Sequence, residues 1–87
     1  MSNTLEDAKK FYETKKFKEA YEIFYPLAAN SRCDEAQYYL GLMYHDGDGV
    51  EKSQQEAMKW WKMARREGNQ DAAYMYSEIS VSTKNMF

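Results

Sequence analysis

One cysteine, one histidine and one proline stand in the 87-residue sequence, and each scarcity excludes something. Cys33 alone cannot close an intrachain disulfide, so a reducing, cytoplasmic location is the expectation. Cys33 and His45 lack the second Cys or His that a zinc set or a thiol–imidazole pair requires, which leaves no metal, no cofactor and no catalytic residue to assign. Glycine is also scarce, and Gly47-Asp48-Gly49 is acidic where a phosphate cradle needs a lysine and a hydroxyl in register. Asp46-x-Asp48 begins like a calcium loop. Val50 and Ala57 then fall where an oxygen ligand and a bidentate glutamate are required, so calcium is excluded too.

Long apolar runs are missing as well. Met1 to Thr4 lead directly into charged residues, and no stretch reaches the length of an export signal or a membrane span, so neither is expected. Nor is there an excess of positive charge: the formal net charge is −2 and the pI near 5.4, against the strongly basic surface of a nucleic-acid binder. Lys9, Lys10, Lys15, Lys16 and Lys18 stand among Glu6, Asp7 and Glu13. Lys59, Lys62, Arg65 and Arg66 decorate one side of a helical stretch. Both clusters read as solvated faces.

What the chain has in quantity is aromatic side chains, 16 % of residues, together with six methionines. A single domain of this length buries only roughly 60–65 % of its unfolded surface, so its core must be crowded with large groups. Few β-branched residues occur before the C-terminus, and the fold class expected is all-α. Thr4 or Asn3 can cap a first helix to about Thr14, with Leu5, Ala8, Phe11 and Tyr12 on its apolar stripe. A second runs from Phe17 to about Asn30, where Pro26 predicts a kink or a break near Tyr25. Asp34 is the expected cap of a third helix ending near His45. Ser53, with Glu56 three residues on, caps a fourth that ends at Glu67. Gly68 supplies a left-handed stop, Asn69-Gln70-Asp71 opens a fifth helix to about Ser80, and residues 81–87 are expected to fray or to drape over the end as a cap.

Shifting the chain by 36 positions pairs Phe24 with Trp60, Tyr25 with Trp61, Leu27 with Met63, Ala28 with Ala64, Ala36 with Ala72 and Tyr38 with Tyr74. That self-similarity is the mark of stacked helix pairs, each of which buries its stripe only against a neighbour. Ala36, Leu40-Gly41, Tyr44, Gly47-x-Gly49-Val50, Ala57, Trp60-Trp61, Ala64, Gly68 and Ala72 resemble the Sel-one-like repeat, a relative of the tetratricopeptide repeat. Ala8, Phe11, Phe17, Ala20 and Phe24 resemble the plain tetratricopeptide form. The chain departs from the Sel-one-like pattern at Ser53, at Arg65 and at Tyr76-Ser77, where a further repeat would show Leu-Gly. Gly41 and the alanines allow close helix approach, Trp60, Trp61 and Tyr44 fill the space between pairs, and Gly47 and Gly49 permit backbone angles other residues resist.

The resemblance implies an α-α superhelix, or solenoid, of about two hairpins (residues 1–33 and 34–68), a capping helix (69–80) and a tail (81–87). It also implies a concave groove lined by the first helix of each pair, and it assigns Leu5, Lys9, Tyr12, Tyr38, Leu42, His45, Tyr74 and Glu78 to that groove. Tyr12, Tyr38 and Tyr74 are the strongest anchors, since tyrosine offers large amphipathic area at little entropic cost; the alternative for each is completion of a short core. The function implied is non-enzymatic: an adaptor or inhibitor that binds one protein partner or peptide segment, with no nucleic acid and no membrane. An immunity protein that neutralises a toxin is a sharper form of the same reading. A β-lactam-hydrolysing enzyme, like the cysteine-rich relatives, is the reading of a different class, and this chain lacks their paired cysteines. Val81, Met86 and Phe87 at the array's end are candidates for a homodimer contact.

Overall fold

Capping chemistry sets the ends of the helices. A computed structural model describes residues 4–84, and side chains for residues 4–80. Helix α1, Leu5–Glu13, opens on a reciprocal capping box: Thr4 Oγ1 accepts from the Asp7 N–H at 3.3 Å and Asp7 Oδ2 accepts from the Thr4 N–H at 3.4 Å. Asn3, the other candidate cap, lies outside the described residues. Helix α2, Phe17–Asn30, runs through Pro26 without the break considered near Tyr25. Pro26 is exposed, and burial of Ile23, Phe24 and Ala28 on both sides of it outweighs the one backbone bond it cannot make.

Helix α3, Asp34–Asp46, is capped by Cys33, not by Asp34 as expected. The Asp34 carboxylate is engaged elsewhere, accepting from Asn69 Nδ2 at 3.0 Å across the joint ahead of the fifth helix. Helix α4, Gln54–Arg66, begins where Ser53 Oγ accepts from the Glu56 N–H at 3.2 Å. Gly47 and Gly49, in the loop between α3 and α4, stand at φ 75° and 76°. Asn69 Oδ1 accepts from the Ala72 N–H at 2.8 Å and opens α5, Gln70–Lys84. The last helix thus extends past Ser80, so Val81–Lys84 are helical rather than frayed or draped; Met86 and Phe87 lie outside the described residues.

Each helix packs on its neighbours along the chain, which builds an all-α solenoid of stacked helices. The core divides into two layers. One gathers Ala8, Ala20, Phe24, Ala28, Ala36, Leu40, Met43 and Trp60, and the other gathers Ala57, Trp61, Ala64, Ala72 and Ile79. Successive helical residues point about 100° apart, which is why Trp60 and Trp61, adjacent in sequence, serve different layers. Trp60 meets Tyr25 edge-on at 5.9 Å, whereas Trp61 drives into α3 and donates its Nε1–H to the Tyr38 carbonyl at 3.1 Å.

Gly41 makes that insertion possible. A Cβ placed there would stand 2.1 Å from Trp61 Nε1, so the indole occupies the volume a side chain would need. The internal pairing holds in the core for Phe24 with Trp60, Ala28 with Ala64 and Ala36 with Ala72, all buried. It breaks at Tyr25, which is 46 % exposed while Trp61 is 0 %.

Candidate protein-binding face

Helices α1, α3 and α5 hold the eight candidate residues, and contacts between α1 and α3 show how the row is assembled. Lys9 Nζ lies 3.3 Å from Glu35 Oε2, tying the two helices across their surface. Behind it, the Tyr12 ring meets Tyr39 at 5.1 Å, Phe17 at 5.5 Å and Phe24 at 6.4 Å, each edge-on. Tyr39 in turn stacks on Phe24 at 4.9 Å and meets Tyr38 at 5.6 Å. Tyr39 is therefore a hub of the α1–α3 interface. It falls three residues after Ala36 and four before Met43, on the same helical stripe as Leu40, so the apolar spacing of α3 was the signal that could have found it.

The eight side chains divide by exposure. Leu5, Tyr12 and Leu42 are half-buried against the core, so Tyr12 completes an aromatic cluster. Tyr38 is half-buried. His45 is half-buried, its ring 5.5 Å from Trp61 and its Nδ1 2.9 Å from Gln54 Oε1. Tyr74 is 64 % exposed, and Glu78 on the same helix is exposed as well. Tyr38, Leu42, Met75 and Tyr76 gather around the second core layer, which joins α3 to α5 on this side. Among the described residues no three His, Cys, Asp or Glu side chains converge as a metal site.

Electrostatics differ sharply between the two central helices. Helix α3 carries Asp34, Glu35 and Asp46 and neither lysine nor arginine, while α4 carries Lys59, Lys62, Arg65 and Arg66 against Glu56. Burial pushes the Tyr12 hydroxyl from 10.0 up to about 12, with Asp46 and then Asp48 adding to the cost of a phenolate. The Tyr38 hydroxyl is raised by burial and then by Asp71 on α5. Because the folded-state value for Tyr12 exceeds the unfolded one, its contribution to stability is complete below about pH 10 and is lost as pH rises through about 12. A spectrophotometric alkaline titration is expected to show more than one tyrosine that ionises late, because burial and then the Tyr44 hydrogen bond raise Tyr21 as well, with unfolding following, and Tyr12→Phe is expected to reduce the late step by one tyrosine.

One of these helix pairs matches a described family. The model of the Sel1 repeat matches residues 34–69, the span of α3, the glycine-marked loop, α4 and the joint into α5. Residues 34–69 form a Sel1 repeat. Sel1 repeats generally mediate protein–protein interaction. The Sel1 match begins at Asp34, so α1 and α2 lie outside it, although they pack into the same core as α3. The chain is also similar to an exopolysaccharide production negative regulator of Rhizobium leguminosarum bv. viciae, 31 % identical over 61 residues. That alignment covers 70 % of this chain and 23 % of the relative, so the chain spans about a quarter of that protein's length. No solved structure matches the chain. No helix among the described residues is long and apolar enough to cross a membrane.

Proposed function

We propose that this protein is a non-enzymatic module, an adaptor or inhibitor, that binds one protein partner through the α1–α3–α5 face. The observation that carries the reading is Tyr74, 64 % exposed on the helix that repeats α3, in line with Tyr38 one repeat earlier. An aromatic ring held on a rigid helix and left open to solvent supplies contact area at small entropic cost. The acidic α3 favours a basic or aromatic segment over an acidic one. The name of the rhizobial relative, a negative regulator, agrees with an inhibitory or regulatory role exerted through binding.

Tyr38→Ala combined with Tyr74→Ala is expected to abolish capture of the partner from the native host while circular dichroism stays unchanged. Each truncated anchor weakens binding by about 2 kcal/mol, or roughly thirtyfold. Undiminished capture by the double variant would place the partner on another surface.

A further inference from the structure

Two residues depart from the chain's own repeat, and each departure costs stability where it stands. At the joint between α4 and α5 the left-handed position is Gly68, at φ 99°. At the corresponding joint between α2 and α3 it is Arg32, at φ 52°. A residue with a Cβ resists that conformation, and glycine does not. The second departure is Gln37, which stands where α5 has Ala73. Gln37 is 0 % exposed; its Nε2 donates to the Ala28 carbonyl at 3.1 Å, near the end of α2, and its Oε1 has no donor. A buried amide oxygen left unpaired is unfavourable.

Both residues line one cleft. It has a volume of about 590 Å³, and Ala29, Met63, Arg66 and Glu67 complete its lining with Ala28. Helices α2 and α4, the joint after α2 and Gln37 of α3 form it, and none of the eight residues of the α1–α3–α5 row lines it. Arg32 and Arg66 are exposed, and neither makes an ion pair among the described residues. The cleft is thus cationic in a chain whose net charge is −2. Strain tends to persist where function requires it, and here strain, an unpaired buried acceptor and two free guanidinium groups converge.

We propose that this cleft is a second docking site, one that takes a single acidic side chain of an extended partner segment. Arg32 and Arg66 hold the carboxylate with planar, charge-assisted hydrogen bonds. Met63 and Ala29 pack the apolar residue beside it, and Gln37, enclosed at the back of the cleft and bonded to the Ala28 carbonyl, reports the occupant through its side-chain amide. Glu67 repels a second carboxylate, so an isolated acid is preferred over an acidic run. The site stands independently of the α1–α3–α5 face, and either can fail without the other.

The test uses the full chain, ¹⁵N-labelled, titrated with pools of capped pentapeptides having randomised flanks and a central Glu, Gln or Lys. A fourth pool carries Gln at the centre and a free C-terminal carboxylate. The Glu pool is expected to shift the Arg32 and Arg66 resonances and the Gln37 side-chain amide, with affinity falling about tenfold or more in Arg66→Gln. Arg32→Gly is the decisive variant: it relieves the backbone strain, so the melting temperature holds or rises, while binding of the Glu pool is lost. A residue with only a structural role would not separate the two. Equal shifts from the Gln or Lys pool, binding confined to the free-carboxylate pool, shifts confined to α1, α3 and α5, or full binding by Arg32→Gly would each overturn the proposal.

Discussion

Gly41→Leu is expected to leave the chain without a cooperative unfolding transition. A single Cβ at this position would already meet Trp61 Nε1 at 2.1 Å and Trp61 Cδ1 at 2.4 Å. The indole has no room to retreat, being 0 % exposed and hydrogen-bonded to the Tyr38 carbonyl at 3.1 Å. Overpacking of this kind costs about 1–3 kcal/mol when the core can adjust, and more when two helices must separate. A domain of this size holds about 5 kcal/mol in total. The α3–α4 contact is also the centre of the array, and in a stack where each helix packs chiefly on its neighbours along the chain its loss opens the molecule at the middle. Urea denaturation followed by far-UV circular dichroism checks this. A wild-type midpoint for Gly41→Leu would mean that α3 and α4 can move apart without loss, contrary to the packing described. Gly41→Ala is expected to be milder but still destabilising by about 2 kcal/mol.

Trp61→Ala carries the second large effect, about 3–5 kcal/mol, because it opens a cavity in the layer that joins α3, α4 and α5. The neighbouring tryptophan provides the control. Trp60 is buried too, at 4 % exposure, but its Nε1–H has no acceptor, whereas that of Trp61 is paired. Trp60→Phe removes an unpaired polar group and is expected to cost less than Trp61→Phe, which also gives up a hydrogen bond of about 1 kcal/mol. Chemical denaturation of the three variants orders them. If Trp60→Phe proves the more damaging, the division of the two rings between layers is wrong. Gly41→Ala combined with Trp61→Phe is expected to be less destabilising than the sum of its parts, since the smaller ring makes room for the added methyl.

The elements most legible in the sequence were those whose cause is local. Ser53 with Glu56, Gly68 and Asn69 each act on backbone groups a few residues away, and all stand where their chemistry requires. Asp34 misled for the opposite reason, because its carboxylate is drawn to Asn69, 35 residues on. Pro26 misled through a weak local penalty that long-range burial overrode. The face proposed for binding was legible as positions on helices but not as exposures. Tyr12 and Tyr74 look alike in the repeat pattern, yet one is enclosed by Phe17, Phe24 and Tyr39 while the other lies open on α5. Which neighbour covers a ring depends on the adjoining helix.

By itself, the sequence determined the all-α class, the helix-pair pattern, its Sel1 character between residues 34 and 69, and the lack of a second cysteine or histidine. These follow from periodicity, capping and composition, which act within a turn or within a repeat. Tertiary structure alone decided that Trp60 and Trp61 part company, that Gly41 yields its volume to an indole, and that Arg32 and Gln37 meet in one cleft. The reason is geometric: these outcomes depend on how helices separated by loops are set against one another, and helix spacing along the chain carries no direct record of that.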